Sequence, residues 1–221
     1  MKGITTILFD VDGTLLDTTE LIFQALENSF SMNSKLSLTR DQFRTVVGRP
    51  LTECYQILTG QDEVEAFCIT HHDFQLKNLH LSKPYSNTLA TLKKLKDQGI
   101  KTAAVTSRKK KSTSLTLEQA GLTPFLDFSV FADEVTRHKP DPEALNKAMV
   151  FLGSAPEETV MVGDSEADIL GGRNAGVRTI GALYGFHGEK LRDFQPDFAI
   201  NDISQILDIV IHDYSGRNSH N

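Results

Sequence analysis

The stretch from Phe9 to Thr18 reads FDVDGTLLDT and puts two carboxylates, Asp10 and Asp12, two residues apart at the end of an apolar run. Ile7, Leu8 and Phe9 read as a buried strand of a parallel sheet, and residues i and i+2 of a strand point to one side. Asp10 and Asp12 therefore face one site. Gly13 then turns the chain with no side chain in the way, and the N–H groups around it can converge on an anion. Two acids beside an anion-binding loop repel a phosphate unless a cation intervenes. The combination points to Mg²⁺-dependent phosphoryl transfer, with one Asp as nucleophile and the other as proton carrier. Acids also end strands simply because strand ends are solvated and turn-forming, so this reading needs support from elsewhere.

Three downstream segments supply it. Thr102 to Arg108 (TAAVTSR) reads as a strand ending in two hydroxyls, Thr106 and Ser107, which can hold a phosphoryl oxygen without adding charge. In HKPDPE, Lys139 precedes two prolines that stiffen the approach, and Pro142 fits the first turn of a helix. Lys139 can neutralise a nucleophilic carboxylate and an incoming phosphate. In VMVGDSEAD, a buried strand delivers Gly163 and Asp164 to its end, and Asp168 follows four residues later. With a helix starting near Ser165, both acids are positioned to hold a cation.

In this order and spacing the four segments resemble the phosphatase branch of the haloacid dehalogenase superfamily, over nearly the whole chain from Ile4 to about Asn201. The resemblance implies a Rossmann-like α/β core with an inserted all-helical cap. It implies that Asp10 becomes an aspartyl-phosphate and that Asp12 protonates the leaving group and then activates water. Thr106 would bind the transferred phosphoryl group, with Gly13 and Ser107 beside it, and Lys139 would fix it against Asp10. Asp10, the Asp12 backbone carbonyl and Asp164 would ligate Mg²⁺, with Asp168 supporting the metal.

Bulk properties narrow the rest. A chain of 221 residues suits one substantial core plus a smaller insertion. Its net charge of −6 argues against a general binder of nucleic acid or anionic membrane, so attraction for a small phosphorylated substrate must be local. Cys54 and Cys68 form no CxxC pair or disulfide framework, which fits a reducing cytoplasm. A charged residue enters the first apolar run too early for a signal peptide, and no stretch is long and apolar enough to span a bilayer. The sequence does not indicate an oligomeric state.

After Tyr85, short apolar strands alternate with helical periodicity, the pattern of a parallel α/β sheet. Strands are expected near 4–9, 101–106, 128–132, 159–162, 178–183 and 198–200. Helices are expected over 88–98, 112–120, 142–152, 166–175 and 203–211. Gly171 and Gly172 fall inside one of them, at a cost of about 1 kcal/mol each relative to Ala unless close packing requires them. From 18 to 83 no strand pattern appears. Leu21, Ile22, Ala25, Leu26 and Phe30 repeat at helical spacing, as do Val64, Phe67, Cys68 and His71, and Thr39 with Gln42 forms a capping box. The expected division is a catalytic core over 1–17 and 84–213, a cap over 18–83, and a polar tail over 214–221.

Two basic features bear on the substrate. Arg49, in the loop Gly48-Arg49-Pro50 between cap helices, is placed to read a distal carboxylate or second phosphate by a bidentate contact. Arg108 opens the run Arg108 to Lys111 just past Thr106, where it can help attract anions, although positive charge is unfavourable at a helix N-terminus. The second linker, Lys83-Pro84-Tyr85-Ser86-Asn87, lacks the Pro-Gly of many relatives, which leaves the hinge geometry open. The first reading is a phosphoglycolate-phosphatase-like enzyme. A pyrophosphatase or a β-phosphoglucomutase-like mutase stands beside it, and outside the family stands a receiver-like signalling domain that keeps its phospho-Asp as output.

Overall fold

In the computed structural model of the chain the described residues are 3–34 and 36–215, with 211–215 described by backbone alone. The first strand, β1 (Thr6–Phe9), is wholly buried and leads through the acidic turn into a two-residue strand, β2 (Leu16–Asp17). Four helices follow: α1 (Thr19–Asn33), α2 (Arg40–Val46), α3 (Leu51–Thr59) and α4 (Glu65–Lys77). The chain returns through β3 (Lys83–Pro84), which pairs antiparallel with β2. This ribbon was not anticipated, because two-residue strands carry no periodicity to read. It ties the two linkers of the helical insertion together.

The remainder alternates helix and strand: α5 (Thr88–Asp97), β4 (Lys101–Val105), α6 (Lys110–Gln119), β5 (Phe128–Val130), α7 (Glu143–Leu152), β6 (Thr159–Gly163), α8 (Glu166–Asn174), β7 (Arg178–Ala182), β8 (Phe198–Ile200) and α9 (Ile206–Ser215). Six strands form one parallel sheet in the order β5-β4-β1-β6-β7-β8. The fold is thus the expected α/β class: β1, β4, β5 and β7 are one or two residues shorter than expected, β6 runs one residue further, and β8 matches. Residues 203–205 form a 3₁₀ turn ahead of α9. The expected tail over 214–221 lies outside the described residues beyond Ser215, the last residue of α9.

Strand alternation assigns the core. Ile7 and Phe9 point to one face, where Leu92 and Leu95 of α5 and Ile206 and Val210 of α9 cover them. Leu8 points to the other, against Ala144, Leu145 and Met149 of α7. Burial on both faces is why β1 reads as a continuous apolar run. The insertion buries a separate aromatic cluster that includes Phe23, Phe30, Phe43, Tyr55 and Phe67. The Thr39–Gln42 capping box at the start of α2 is formed as expected.

Two local questions left by the sequence are answered by packing. A Cβ on Gly172 would lie 2.5 Å from Thr179 Cγ2 and 3.3 Å from Met161 Cβ, so α8 can lie against β6 and β7 only with glycine there. At the second linker Asn87 takes a left-handed conformation, φ +67°, which Asn tolerates better than most residues. Its amide donates to Asp202 at 2.9 Å. No helix among the described residues is long and apolar enough to cross a membrane.

Candidate active site

β1 lies at the point where the chain order reverses, with β4 on one side and β6 on the other. In open α/β sheets the crevice beyond the C-terminal ends of such strands is the natural ligand site. Asp10 follows β1, Thr106 follows β4, and Asp164 follows β6, so three segments far apart in sequence end at one crevice. The Asp10 N–H still donates to Val162 at 2.9 Å, which continues the pairing and fixes the backbone of the expected nucleophile.

Lys139 is the centre of the buried charge. Its Nζ donates to Asp10 Oδ1 at 2.9 Å, to Asp168 Oδ1 at 2.6 Å and to the Val105 carbonyl at 2.9 Å. Burial works against its charge, but Asp10 and Asp168 together outweigh that and push its pKa up. Asp168 is wholly buried. Its second oxygen accepts from the Ser165 hydroxyl at 2.6 Å and the Ser165 N–H at 3.1 Å, within a capping box that starts α8. With both oxygens occupied, Asp168 is built to hold Lys139, a contact the sequence did not reveal. Gly171 of α8 faces this segment but is not required by it, because a Cβ there would meet Lys139 Cγ and Pro140 Cα at an ordinary 3.7 Å.

Asp164 is held by glycine on two sides. A Cβ on Gly13, where φ is +81°, would fall 2.2 Å from Asp164 Oδ2, and one on Gly185 would fall 2.3 Å from Asp164 Cβ. The Phe186 N–H donates to Asp164 Oδ2 at 2.6 Å. Gly185 and Phe186 belong to the loop after β7, which sequence reasoning passed over. The one signal for it was the glycine-flanked run Gly185-Phe186-His187-Gly188 directly after a strand. Phe186 also packs its ring against the aromatic cluster of the insertion, so one residue touches both parts of the molecule.

Ligand oxygens of Asp10, Asp164 and Asp168 all lie within 4.8 Å of one another. Among the described residues, Asp10 Oδ2 and Asp164 Oδ1 carry no hydrogen bond. The tight turn directs its backbone bonds to the Val11 carbonyl and leaves the Asp12 carbonyl free of them. Burial, with Asp168 and Asp12 adding to it, pushes Asp10 up to about 7 despite Lys139. Burial and the charges of Asp10 and Asp168 also raise Asp164 well above the usual carboxylate range. Buried acids so close, with a single lysine among them, fit a hard divalent cation that would keep them ionised. Asp10, Asp164 and the Asp12 carbonyl are the groups free to hold it.

Asp12 does not join this cluster. Its Oδ1 accepts from Arg108 Nη1 at 2.9 Å, so Arg108, expected to attract anions, is engaged with the expected proton carrier. The Thr106 hydroxyl accepts from the Arg108 N–H at 3.1 Å, while the Thr106 N–H is used by Val130. The rest of the basic run enters α6, which begins at Lys110 and not near Ser112 as expected. Its positive start is offset by Asp133, which accepts from the Lys110 N–H at 2.9 Å, and by Glu134, which pairs with Lys110 at 2.8 Å.

A cavity of about 230 Å³ joins this crevice to the insertion. Asp10, Asp12, Thr106, Ser107 and Arg108 line its core side, and Arg49, His71, His72 and Gln75 line its insertion side. Arg49 is paired with Glu53 four residues on and is about half exposed. His71 is buried, shares a 3.0 Å hydrogen bond with Tyr55, and is held well below its ordinary pKa by burial, with His72 and Arg108 adding to it.

The haloacid dehalogenase-like hydrolase family profile matches residues 7–182. Pyrophosphatase PpaX of Halalkalibacterium halodurans is 39% identical, covering 94% of this chain and 97% of that protein. Pyrophosphatase PpaX of Anoxybacillus flavithermus is 33% identical over the same shares. Among solved structures, one from Bacteroides fragilis described as a haloacid dehalogenase-like hydrolase superposes with a TM-score of 0.86 at 28% identity, covering 92% of this chain and 99% of that one. With the family established over most of its length, the receiver-like reading falls, and the chain belongs to the haloacid dehalogenase-like hydrolases, in their phosphatase branch.

Proposed function

We propose that this enzyme is a Mg²⁺-dependent cytoplasmic phosphatase of small doubly anionic substrates, working through a phosphorylated Asp10. Pyrophosphate stands first among them and phosphoglycolate second. The observation that carries the chemistry is the buried chain Asp168–Lys139–Asp10, closed by Asp164 at the switch point of the sheet. The order of substrates follows relatives of up to 39% identity that are named pyrophosphatases.

Lys139 fixes the Asp10 carboxylate through Oδ1, and that carboxylate attacks phosphorus. As that bond forms, the bond to the leaving oxygen breaks, and the Asp12 carboxyl donates its proton to that oxygen. Asp12, now a carboxylate, takes a proton from water; the water oxygen attacks phosphorus, and the acyl phosphate bond to Asp10 breaks, restoring the enzyme. Thr106 and Ser107 bind the phosphoryl oxygens at the end of β4. A bound Mg²⁺ would offset the charge of the acids and the phosphoryl group. The helical insertion over 18–83 acts as a cap that shields the crevice from bulk water and carries the distal-end contacts, Arg49 among them.

The test is phosphate release across pyrophosphate, phosphoglycolate, sugar phosphates and nucleotides, with Mg²⁺ and with EDTA. Release from pyrophosphate or phosphoglycolate above the others, and none in EDTA, is the expected result. Full activity in metal-free buffer would remove the metal from the mechanism, and a preference for nucleotides would remove the substrate class.

A further inference from the structure

Arg108 is held by one carboxylate and one hydroxyl and has a donor to spare. Nη1 holds Asp12 at 2.9 Å, and Nη2 donates at 3.2 Å to the Thr116 hydroxyl, which itself donates to the Ser112 carbonyl at 2.8 Å. Nε is buried with no hydrogen-bond partner among the described residues. The ion pair is nearly closed to solvent, with side chains 11% and 13% exposed. Yet both residues line the cavity, alongside Lys109 and with His72 of α4 across from them.

The pairing conflicts with the work expected of Asp12. The guanidinium occupies Asp12 Oδ1 and ties down the carboxyl expected to carry a proton to the leaving group. The same guanidinium is incompletely used, and a buried donor without a partner is a cost that a ligand oxygen would relieve. Arginine recognises phosphate or carboxylate through two parallel N–H groups, and the idle Nε with its neighbouring Nη offers such a fork. Thr116 can anchor the other side throughout.

We propose that Arg108 is a latch on the proton carrier. In the free enzyme it holds Asp12, and the second anionic group of a seated substrate draws the guanidinium onto itself and releases Asp12 for proton transfer. The inference rests on the phosphatase reading above and adds to it a reason for selectivity: a monophosphate without a second anion leaves Asp12 held. Arg108 then serves as a distal-anion contact and, through Asp12, as a positioning residue.

The test pairs turnover with binding. Arg108→Gln should change two substrates in opposite directions: kcat/KM for pyrophosphate falls by about tenfold or more, whereas kcat for p-nitrophenyl phosphate rises because Asp12 is no longer held. Binding is measured by calorimetry with Mg²⁺, using methylenediphosphonate as the double anion and methylphosphonate as the single one. Asp12→Asn weakens Arg108's internal partner, so the affinity ratio of double to single anion should rise several-fold over wild type. In Arg108→Gln that ratio should collapse. Melting temperatures of both variants guard against misfolding, and Arg108→Lys, which keeps the charge without the fork, should recover only part of the ratio. Losses in the same direction on both substrates, or a ratio indifferent to Asp12→Asn, would overturn the latch while leaving the phosphatase reading intact. A wild-type enzyme that releases phosphate from neither pyrophosphate nor phosphoglycolate would overturn both.

Discussion

Lys139 and Arg49 are both cations proposed to serve phosphate chemistry, and the molecule treats them differently. Lys139, 4% exposed, is fixed by two carboxylates and a carbonyl from three segments of the core. Arg49, 47% exposed, is paired with a single acid on its own stretch of the insertion. A buried charge that lost a partner would be left uncompensated, so the core end of the site has little freedom to change. An exposed ion pair is worth little and can be exchanged for a ligand at small cost. The residues proposed for the steps common to every phosphoryl group thus sit where substitution is punished, and the residue proposed to choose a substrate sits where it is tolerated.

The largest test of that contrast is Asp10→Asn, which removes charge but little volume. Turnover should fall by roughly 10⁴-fold or more on every substrate alike, while the protein stays folded. Retention of wild-type kcat in a preparation free of the wild-type enzyme would remove Asp10 from its role.

Metal and pH sharpen the core side. Asp10 has its pKa raised from 3.8 to about 7 in the folded protein without metal. Between those values the unfolded chain is ionised while the folded one keeps its proton, so this group makes the metal-free protein less stable as pH rises toward 7. Mg²⁺ requires the ionised form and therefore relieves that penalty. The rise in Tm caused by Mg²⁺ should be several degrees larger at pH 8 than at pH 5, measured by calorimetry against EDTA controls. An equal or larger rise at pH 5 would mean that the cation does not bind through these acids.

Arg49→Ala should have the smallest effect and the most selective one. KM for pyrophosphate or phosphoglycolate should rise about three- to tenfold with kcat little changed, since lost uniform binding appears in KM. The loss for a minimal aryl phosphate should be smaller. Equal losses on both would return Arg49 to an ordinary surface ion pair with Glu53.

The acid pair Asp10 and Asp12, Thr106, Lys139 and Asp164 were all legible in the sequence, because each sits at a strand end or a proline-stiffened approach whose local chemistry is unusual. The six strands were legible for the same kind of reason, since burial on both faces of a parallel sheet leaves continuous apolar runs. Partners that meet across the fold could not be read this way. The bond from Asp168 to Lys139 spans 29 residues, and that from Arg108 to Asp12 spans 96. The Phe186 N–H on Asp164 comes from a loop with no motif of its own, and the close contact of Gly172 with Thr179 exists only once α8 lies on the sheet.

The sequence by itself determined the class of fold, the identity of the acids at the centre and the hydroxyls and lysine around them, since these follow from local periodicity and from residue types that few other chemistries require. Only the tertiary structure decided which charge each residue faces. Arg108 could be read along the chain as one of four basic residues at the start of a helix, and it became the partner of Asp12 because the parallel sheet brings the ends of β1 and β4 side by side. Charge pairing depends on distance and burial, and both are set by strand order, which no short stretch of sequence contains.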